Sequence, residues 1–227
     1  MEVRYGERVA TRDGVELSVD LYRPRDGEAH PALFTMTPYN NLGAGTLQTA
    51  WQFVRRGYVY VTADVRGRYD SDGAWFPFQH DSEDGSDVIS WIARQSWSNG
   101  RVATMGGSYG GMNQWLMAKQ ANPAHVAMVP YVAPADGFHD LARYNGVPSL
   151  DLLFTWSAGM FGRVNQPIAG WHWREAMEAL PLADLGRRTG RELPFWREWM
   201  EHDRLDAWWD DFQLAGHYER FDIPSFN

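Results

Sequence analysis

Met105-Gly106-Gly107-Ser108-Tyr109-Gly110-Gly111 sets one hydroxyl among four glycines, and within it Gly106-x-Ser108-x-Gly110 has the G-x-S-x-G spacing of a serine nucleophile turn. An apolar, β-branched run, residues 101–105, precedes it and a helical pattern over 110–121 follows. In that context the glycines have a steric task. A serine on a sharp strand-to-helix turn holds a strained backbone, and side chains beside it would strike neighbouring main chain. The turn lifts the hydroxyl clear of the sheet and leaves the Tyr109 N–H, at a helix start, facing any negative charge that develops. The chemistry such a turn serves is acyl transfer to oxygen. A serine hydroxyl needs a base, and the base needs an acid to orient it, in the chain order Ser, Asp or Glu, His. Downstream of Ser108 stand His125, His139, His172, His202 and His217. His125 opens a buried run, His139 follows Asp136 too closely to leave room for an acid on one strand and a base beyond another, and the remaining three fall in Trp-rich sequence that suits packing or surface roles. None is assigned as the base.

The elements that must position Ser108 are legible as changes of period. Val15, Leu17, Val19 and Leu21 alternate with Glu16, Ser18, Asp20 and Tyr22 after the turn pair Asp13-Gly14, which predicts an antiparallel hairpin over residues 3–22. The next apolar runs, 32–36, 58–63, 101–105 and 126–129, do not alternate and suit strands covered on both faces. Helical patterns separate them: 46–56, with Leu47, Ala50, Trp51 and Val54 before Gly57; 81–95, with Asp81, Glu83 and Asp84 at its positive end; and 110–121. Strand and helix alternate as a parallel α/β sheet requires. The run spacing predicts the Ser108 strand to lie between those near 59–63 and 126–129. From Gly137 to Gly216 the texture is Trp, Leu and Met mixed with charge, read as a helical insertion, and a strand is expected to begin near Phe221-Asp222-Ile223-Pro224.

Composition excludes several alternatives. The 227 residues are 44% hydrophobic, carry a formal charge of −8 with no Lys/Arg-rich run, and contain no cysteine. Nucleic acid and anionic membrane are therefore not expected partners, and thiolate chemistry and disulfides are removed together. The charged N-terminus and the lack of a long apolar window lead to the expectation of a cytoplasmic chain. No P-loop, H-E-x-x-H or G-x-G-x-x-G pattern is present, and His80-Asp81 and His202-Asp203 lack a third ligand at suitable spacing, so neither metal nor cofactor is expected. The 15% aromatic content is assigned to packing in the insertion and to an acyl pocket.

Several stretches taken together resemble the CocE/NonD hydrolases and the related α-amino acid ester hydrolases and Xaa-Pro dipeptidyl-peptidases. They are Arg12-Asp13-Gly14-Val15-Glu16-Leu17, Asp20-Leu21-Tyr22-Arg23-Pro24, Thr37-Pro38-Tyr39-Asn40, Asp64-Val65-Arg66-Gly67, Ser71-Asp72-Gly73, Ile89-Ser90-Trp91-Ile92 and Gly107-Ser108-Tyr109, with Asp84, Asp87, Gln95-Ser96-Trp97 and Gly100-Arg101-Val102. The resemblance covers residues 8–135 well and is loose beyond Gly137. It implies an α/β-hydrolase fold, a mostly parallel sheet flanked by helices, with a helical cap, truncated before the last strands: hydrolase domain 1–136, cap 137–216, returning strand 217–227. It implies Ser108 as nucleophile and an oxyanion hole made by the Tyr39 hydroxyl and the Tyr109 N–H. It departs from the family at Asn40-Asn41, where members often carry a basic residue. Asp64, Arg66 and Asp72 match structural positions, expected to form a turn tied by an ion pair. The acid and histidine of the triad would lie beyond Asn227, and an exposed sheet edge would invite self-association. The expected function is a serine hydrolase acting on a small acyl ester, amide or peptide. The alternative is a non-catalytic fragment, or a subunit completed by a second polypeptide.

Overall fold

A computed structural model describes residues 1–169 and 173–226, and the chain divides into two compact units, residues 1–134 with 214–227, and residues 135–213. The first unit is a six-stranded sheet in the order β1-β2-β4-β3-β5-β6, with β1 Glu2–Ala10, β2 Glu16–Arg23, β3 His30–Thr37, β4 Val59–Asp64, β5 Ser98–Gly107 and β6 His125–Tyr131. β1, β2 and β4 pair antiparallel; β4, β3, β5 and β6 pair parallel. This is an α/β fold with a mixed, mostly parallel sheet flanked by helices.

The period-two hairpin forms as expected, but the alternation does not separate a wet face from a dry one. Ser18, Asp20 and Tyr22 are as buried as Leu17, Val19 and Leu21. β2 is an interior strand between β1 and β4, so both of its faces are covered. The polar face is satisfied locally: the Gly6 N–H donates to Asp20 Oδ1 at 2.9 Å from a bulge in β1, and the Ser18 N–H donates to Ser71 Oγ at 2.9 Å.

Three helices join the strands: α1 Thr46–Val54, α2 Asp81–Ala93 and α3 Tyr109–Ala118. α1 buries Ala50 and Val54 against Tyr22, Leu33 and Tyr60, while Leu47 and Trp51, predicted for its apolar face, are about half exposed. α2 buries Val88, Ile89 and Ile92 and packs against α3. Gly85 permits that approach, because a Cβ there would lie 2.5 Å from the Met117 side chain.

One expectation about topology fails. β5 is flanked by β3 and β6, not by β4 and β6. From β3 the chain crosses through α1 to β4 on one side; from β4 it crosses back through α2 to β5 on the other. Right-handed crossovers of opposite direction set α1 on one face of the sheet and α2 and α3 on the other. The order therefore reverses between the adjacent strands β3 and β5, and a crevice opens outside their carboxyl ends.

Residues 224–226 run beside β6, with Met128 N–H donating to Pro224 O and Phe226 N–H to Met128 O, both at 3.0 Å. The contact is a single parallel bridge, Met128 to Ser225, rather than the strand expected from Phe221.

The second unit contains short helices, α4 Thr155–Met160, α5 Trp173–Met177, α6 Leu185–Arg188 and α7 Pro194–Glu201, with two π-helical turns, Gly137–Ala142 and Leu150–Phe154. Trp196, Trp199 and Trp209 are fully buried within it beside Phe154 and Leu185. The Trp-rich sequence is thus a small aromatic core of its own. Among the described residues no helix is long and apolar enough to cross a membrane, and no group of three or more acidic, His or Cys side chains could hold a metal ion.

Candidate active site

Ser108 stands at the junction of β5 and α3 with φ 55° and ψ −120°, a conformation that costs a non-glycine residue roughly 1–3 kcal/mol. Its main chain is held from both sides. The Ser108 N–H donates to the Tyr131 and Val132 carbonyls at 3.1 Å, and its carbonyl accepts the Gly111 and Met112 N–H groups at 3.0 Å. The side chain is exposed. Three of the four glycines are sterically required: a Cβ would lie 2.7 Å from the Gly110 carbonyl oxygen at Gly106, 2.3 Å from the Tyr131 ring at Gly107 and 2.6 Å from the Ala133 Cβ at Gly111. At Gly110 the nearest atom is 3.7 Å away, so no collision accounts for that glycine.

Tyr109 turns its side chain inward while its N–H sits in the first turn of α3, where helix geometry aims amides out of the helix. Its hydroxyl accepts the Phe78 N–H at 2.9 Å and its ring stacks on Phe78 at 4.0 Å. The Tyr39 ring lies edge-on to Tyr109, with centroids 6.3 Å apart. Tyr39 follows β3 and Ser108 follows β5, so the loops carrying them flank the same crevice. Asn113, on the helix that follows Ser108, ties that helix to the end of β3, its Nδ2 donating to the Met36 carbonyl at 2.9 Å. The arrangement places a hydroxyl, a helix-start amide and a phenol at one end of the sheet, parts suited to attack on a carbonyl and to holding the resulting oxyanion.

The ion pair expected near Asp64, Arg66 and Asp72 exists with different partners. Arg66 grips Asp84 bidentately at 2.6 and 2.9 Å and Asp13 at 2.6 and 3.0 Å, and these carboxylates, Asp84 first, hold its guanidinium above the ordinary arginine value. Asp72 pairs instead with Arg8 at 2.5 Å. Asp64 accepts the Asn41 N–H at 2.8 Å, and burial pushes its carboxyl up to about 7. The fork matches two carboxylates at once, which a sequence motif cannot reveal because Asp13 and Asp84 lie on separate elements.

Asp81, in the first turn of α2, was read only as a helix-start charge. It is fully buried, hydrogen-bonded to Tyr109 and Asn113, and pushed up to about 8 by burial and by Asp84. Its Oδ2 is buried without a hydrogen-bond donor, which leaves an ionised carboxylate there short of partners. The folded state thus binds a proton that the unfolded chain releases near pH 4, so this group's stabilising contribution is full below pH 4 and is lost as pH rises towards 8. Asp81→Asn is expected to flatten that decline: in urea titrations the variant should gain on the parent steadily from pH 5 to 8. A constant difference across that range would show Asp81 ionised in the fold.

The histidines divide. His125 begins β6, at the end of the sheet opposite Ser108; its Nε2 bonds Thr104 Oγ1 at 2.9 Å and burial pulls it down to about 4, as for a neutral core histidine. His139 and His202 belong to the second unit, where His139 is exposed and His202 bonds Asp206 at 2.8 Å and stacks on Trp208. His217 is half-buried in the first unit. His172 lies outside the described residues.

A strained serine between a parallel strand and a helix, at a topological switch, defines the α/β-hydrolase class. Residues 13–227 match the family model for X-Pro dipeptidyl-peptidases of the S15 family, and the chain belongs to that family, which takes in the CocE/NonD hydrolases. Cocaine esterase of Rhodococcus sp. (strain MB1 Bresler) is 38% identical over 156 residues, covering 66% of this chain and 27% of the esterase. A putative serine esterase of Mycobacterium bovis is 30% identical over 189 residues, 70% of this chain and 28% of that protein. Among solved structures, an α-amino acid ester hydrolase superposes with TM-score 0.80 at 25% identity over 99% of this chain and 41% of its own. The chain thus spans little more than a quarter of the length of the curated relatives it matches, and is homologous to serine esterases and S15 peptidases.

Proposed function

We propose that this chain carries the nucleophile and oxyanion hole of a serine hydrolase that cleaves acyl ester or amide bonds through an acyl-enzyme. The observation that carries the reading is Ser108 at φ 55° on the β5–α3 turn, a strained position stabilised by four main-chain hydrogen bonds and glycines without room for side chains. The Ser108 Oγ attacks the substrate carbonyl carbon and loses its proton to a base. The carbonyl oxygen becomes an oxyanion held by the Tyr39 hydroxyl and the Tyr109 N–H. Collapse expels the alcohol or amine, which takes up that proton, and water then hydrolyses the acyl-serine by the same steps. The base is not assigned to a histidine of this chain: His125 is buried at the far end of the sheet, and in the chain order Ser, Asp or Glu, His we take the acid and base from strands that follow β6.

The second reading, a chain that works only with a second polypeptide, is favoured by the bridge at Met128, which sets residues 224–226 beside β6 where a further parallel strand would run. Both readings need groups that residues 1–227 are not assigned, and one experiment tests that shared requirement. Residues 1–227 are assayed with an activated aryl ester, alone and with a separately made segment carrying the later strands of the family fold, using Ser108→Ala as the blank. Turnover is expected only with the added segment. Turnover by residues 1–227 alone, lost in Ser108→Ala, would instead make one of His125, His139, His172, His202 and His217 the base. No turnover in either case, together with no esterase activity of the natural polypeptide, would sink the hydrolase reading.

A further inference from the structure

The loop that carries Tyr39 is fastened by one turn. The Thr37 carbonyl accepts the Val65 N–H at 3.0 Å, the Pro38 carbonyl accepts Arg68 Nε–H at 2.9 Å, and the Asn41 N–H donates to Asp64 Oδ1 at 2.8 Å. All three partners lie within residues 64–68, immediately after β4. Between the last two bonds sits Asn40 with φ 91°, a conformation that persists only where its flanks are over-determined. Tyr39 adds its own N–H bond to Thr37 Oγ1 at 3.1 Å.

Arg68 is the costly member of this turn. Its side chain is 0% exposed, and its guanidinium carbon lies 4.8 Å from the Trp75 ring centroid and 5.3 Å from that of Tyr69. Taking an argininium out of water costs several kcal/mol even after relaxation, and an apolar side chain of similar volume would fill the space more cheaply. The turn also fixes where the guanidinium sits. Arg68 N–H donates to Val65 O, its carbonyl accepts the Ser71 N–H, and at Gly67, φ 73°, a Cβ would lie 2.2 Å from the Trp75 nitrogen. From that position Arg68 Nε–H donates to the carbonyl of Pro38, one peptide before Tyr39.

We propose that Arg68, with Asp64 on the other flank, is a positioning residue that holds the Tyr39 hydroxyl in the oxyanion hole. The inference rests on the oxyanion role proposed above for Tyr39. A donor aimed at a developing oxyanion must be held to about 0.5 Å, and a peptide next to a strained Asn40 drifts once its carbonyl is released. Lysine cannot replace Arg68: its donors all sit at the tip of a flexible stem, whereas the arginine donates from Nε while its guanidinium carbon lies over two rings. Because Arg68 does not touch substrate, its loss should appear in kcat and spare KM.

The test uses the natural polypeptide that carries these residues, with Arg68→Lys, Arg68→Met, Tyr39→Phe and the double variant Arg68→Lys/Tyr39→Phe. Active-site titration with a fluorophosphonate counts folded, reactive Ser108, so that a misfolded fraction does not imitate a slow enzyme. Arg68→Lys is expected to lower kcat roughly 10- to 100-fold with KM changed less than about twofold. In the Tyr39→Phe background the same substitution should cost about twofold or less, since the hydroxyl it positions is already gone. Full additivity in the double variant, or an Arg68→Lys enzyme with lower melting temperature and unchanged kcat per titrated site, overturns the proposal while leaving the oxyanion reading intact. A Tyr39→Phe enzyme with unchanged kcat overturns both. Should Arg68→Met fail to fold, the lysine variant decides alone.

Discussion

Ser108→Ala in the natural polypeptide is expected to lower kcat for an activated ester by roughly 10³- to 10⁶-fold, the range seen when a nucleophile is removed and only oxyanion stabilisation and binding remain. The substitution deletes one exposed oxygen and nothing structural. The turn is held by the Tyr131, Val132, Gly111 and Met112 main-chain bonds, all of which alanine keeps, and alanine takes on the same φ 55° strain as serine. Melting temperature should therefore stay within about 2 °C, which separates lost chemistry from lost fold. Fluorophosphonate labelling of the parent should be stoichiometric and absent from the variant. Labelling that survives Ser108→Ala would move the nucleophile elsewhere and remove the main support for the proposed function.

Tyr39→Phe is expected to cost about 10²-fold in kcat, close to the roughly 3 kcal/mol attributed to one oxyanion-hole donor. The ring is retained, so its edge contact with Tyr109 and the Thr37, Pro38 and Asn41 hydrogen bonds of its loop persist. KM should change little, because the hydroxyl bonds the tetrahedral oxyanion more strongly than the ground-state carbonyl. A boronic acid, which mimics the tetrahedral adduct on Ser108, should lose affinity for the variant in proportion to kcat. Unchanged kcat with Tyr39→Phe would leave the Tyr109 amide without its proposed partner and send the search for a second donor to other groups at the crevice.

Much of this site is local in sequence. The glycines around Ser108, the apolar run before them and the helix after them occupy one short stretch, and every steric demand on the turn except those from Tyr131 and Ala133 arises within it. The parallel strands were legible for the same reason: a run without alternation is what a strand covered on both faces requires. Asp64, Arg66 and Asp72 were visible as a structural cluster, but the partners of Arg66 were not, because Asp13 and Asp84 are brought to it by a hairpin turn and a helix start. Arg68, close by on the same turn, passed unnoticed, since nothing in the chain's pattern distinguishes a guanidinium buried under Pro38 from one in water. His125 could be doubted from the buried run behind it, yet its position at the far end of the sheet needed the register of β6.

The amino-acid sequence by itself determined the strand–turn–helix around Ser108, the α/β alternation and the family, because these depend on residue type and near-neighbour spacing. Strand order was decided only by tertiary structure. Hydrophobic runs of equal character can be laid side by side in several orders, and the choice depends on which face each crossover helix covers. Here α1 takes one face and α2 and α3 the other, so β3 rather than β4 becomes the neighbour of β5. That choice opens the crevice at the carboxyl ends of β3 and β5 and sets Tyr39 beside Tyr109. Tertiary structure also buries Asp20, Asp64, Arg68 and Asp81, polar groups that any local reading would have left in solvent, because chain segments distant in sequence close over them.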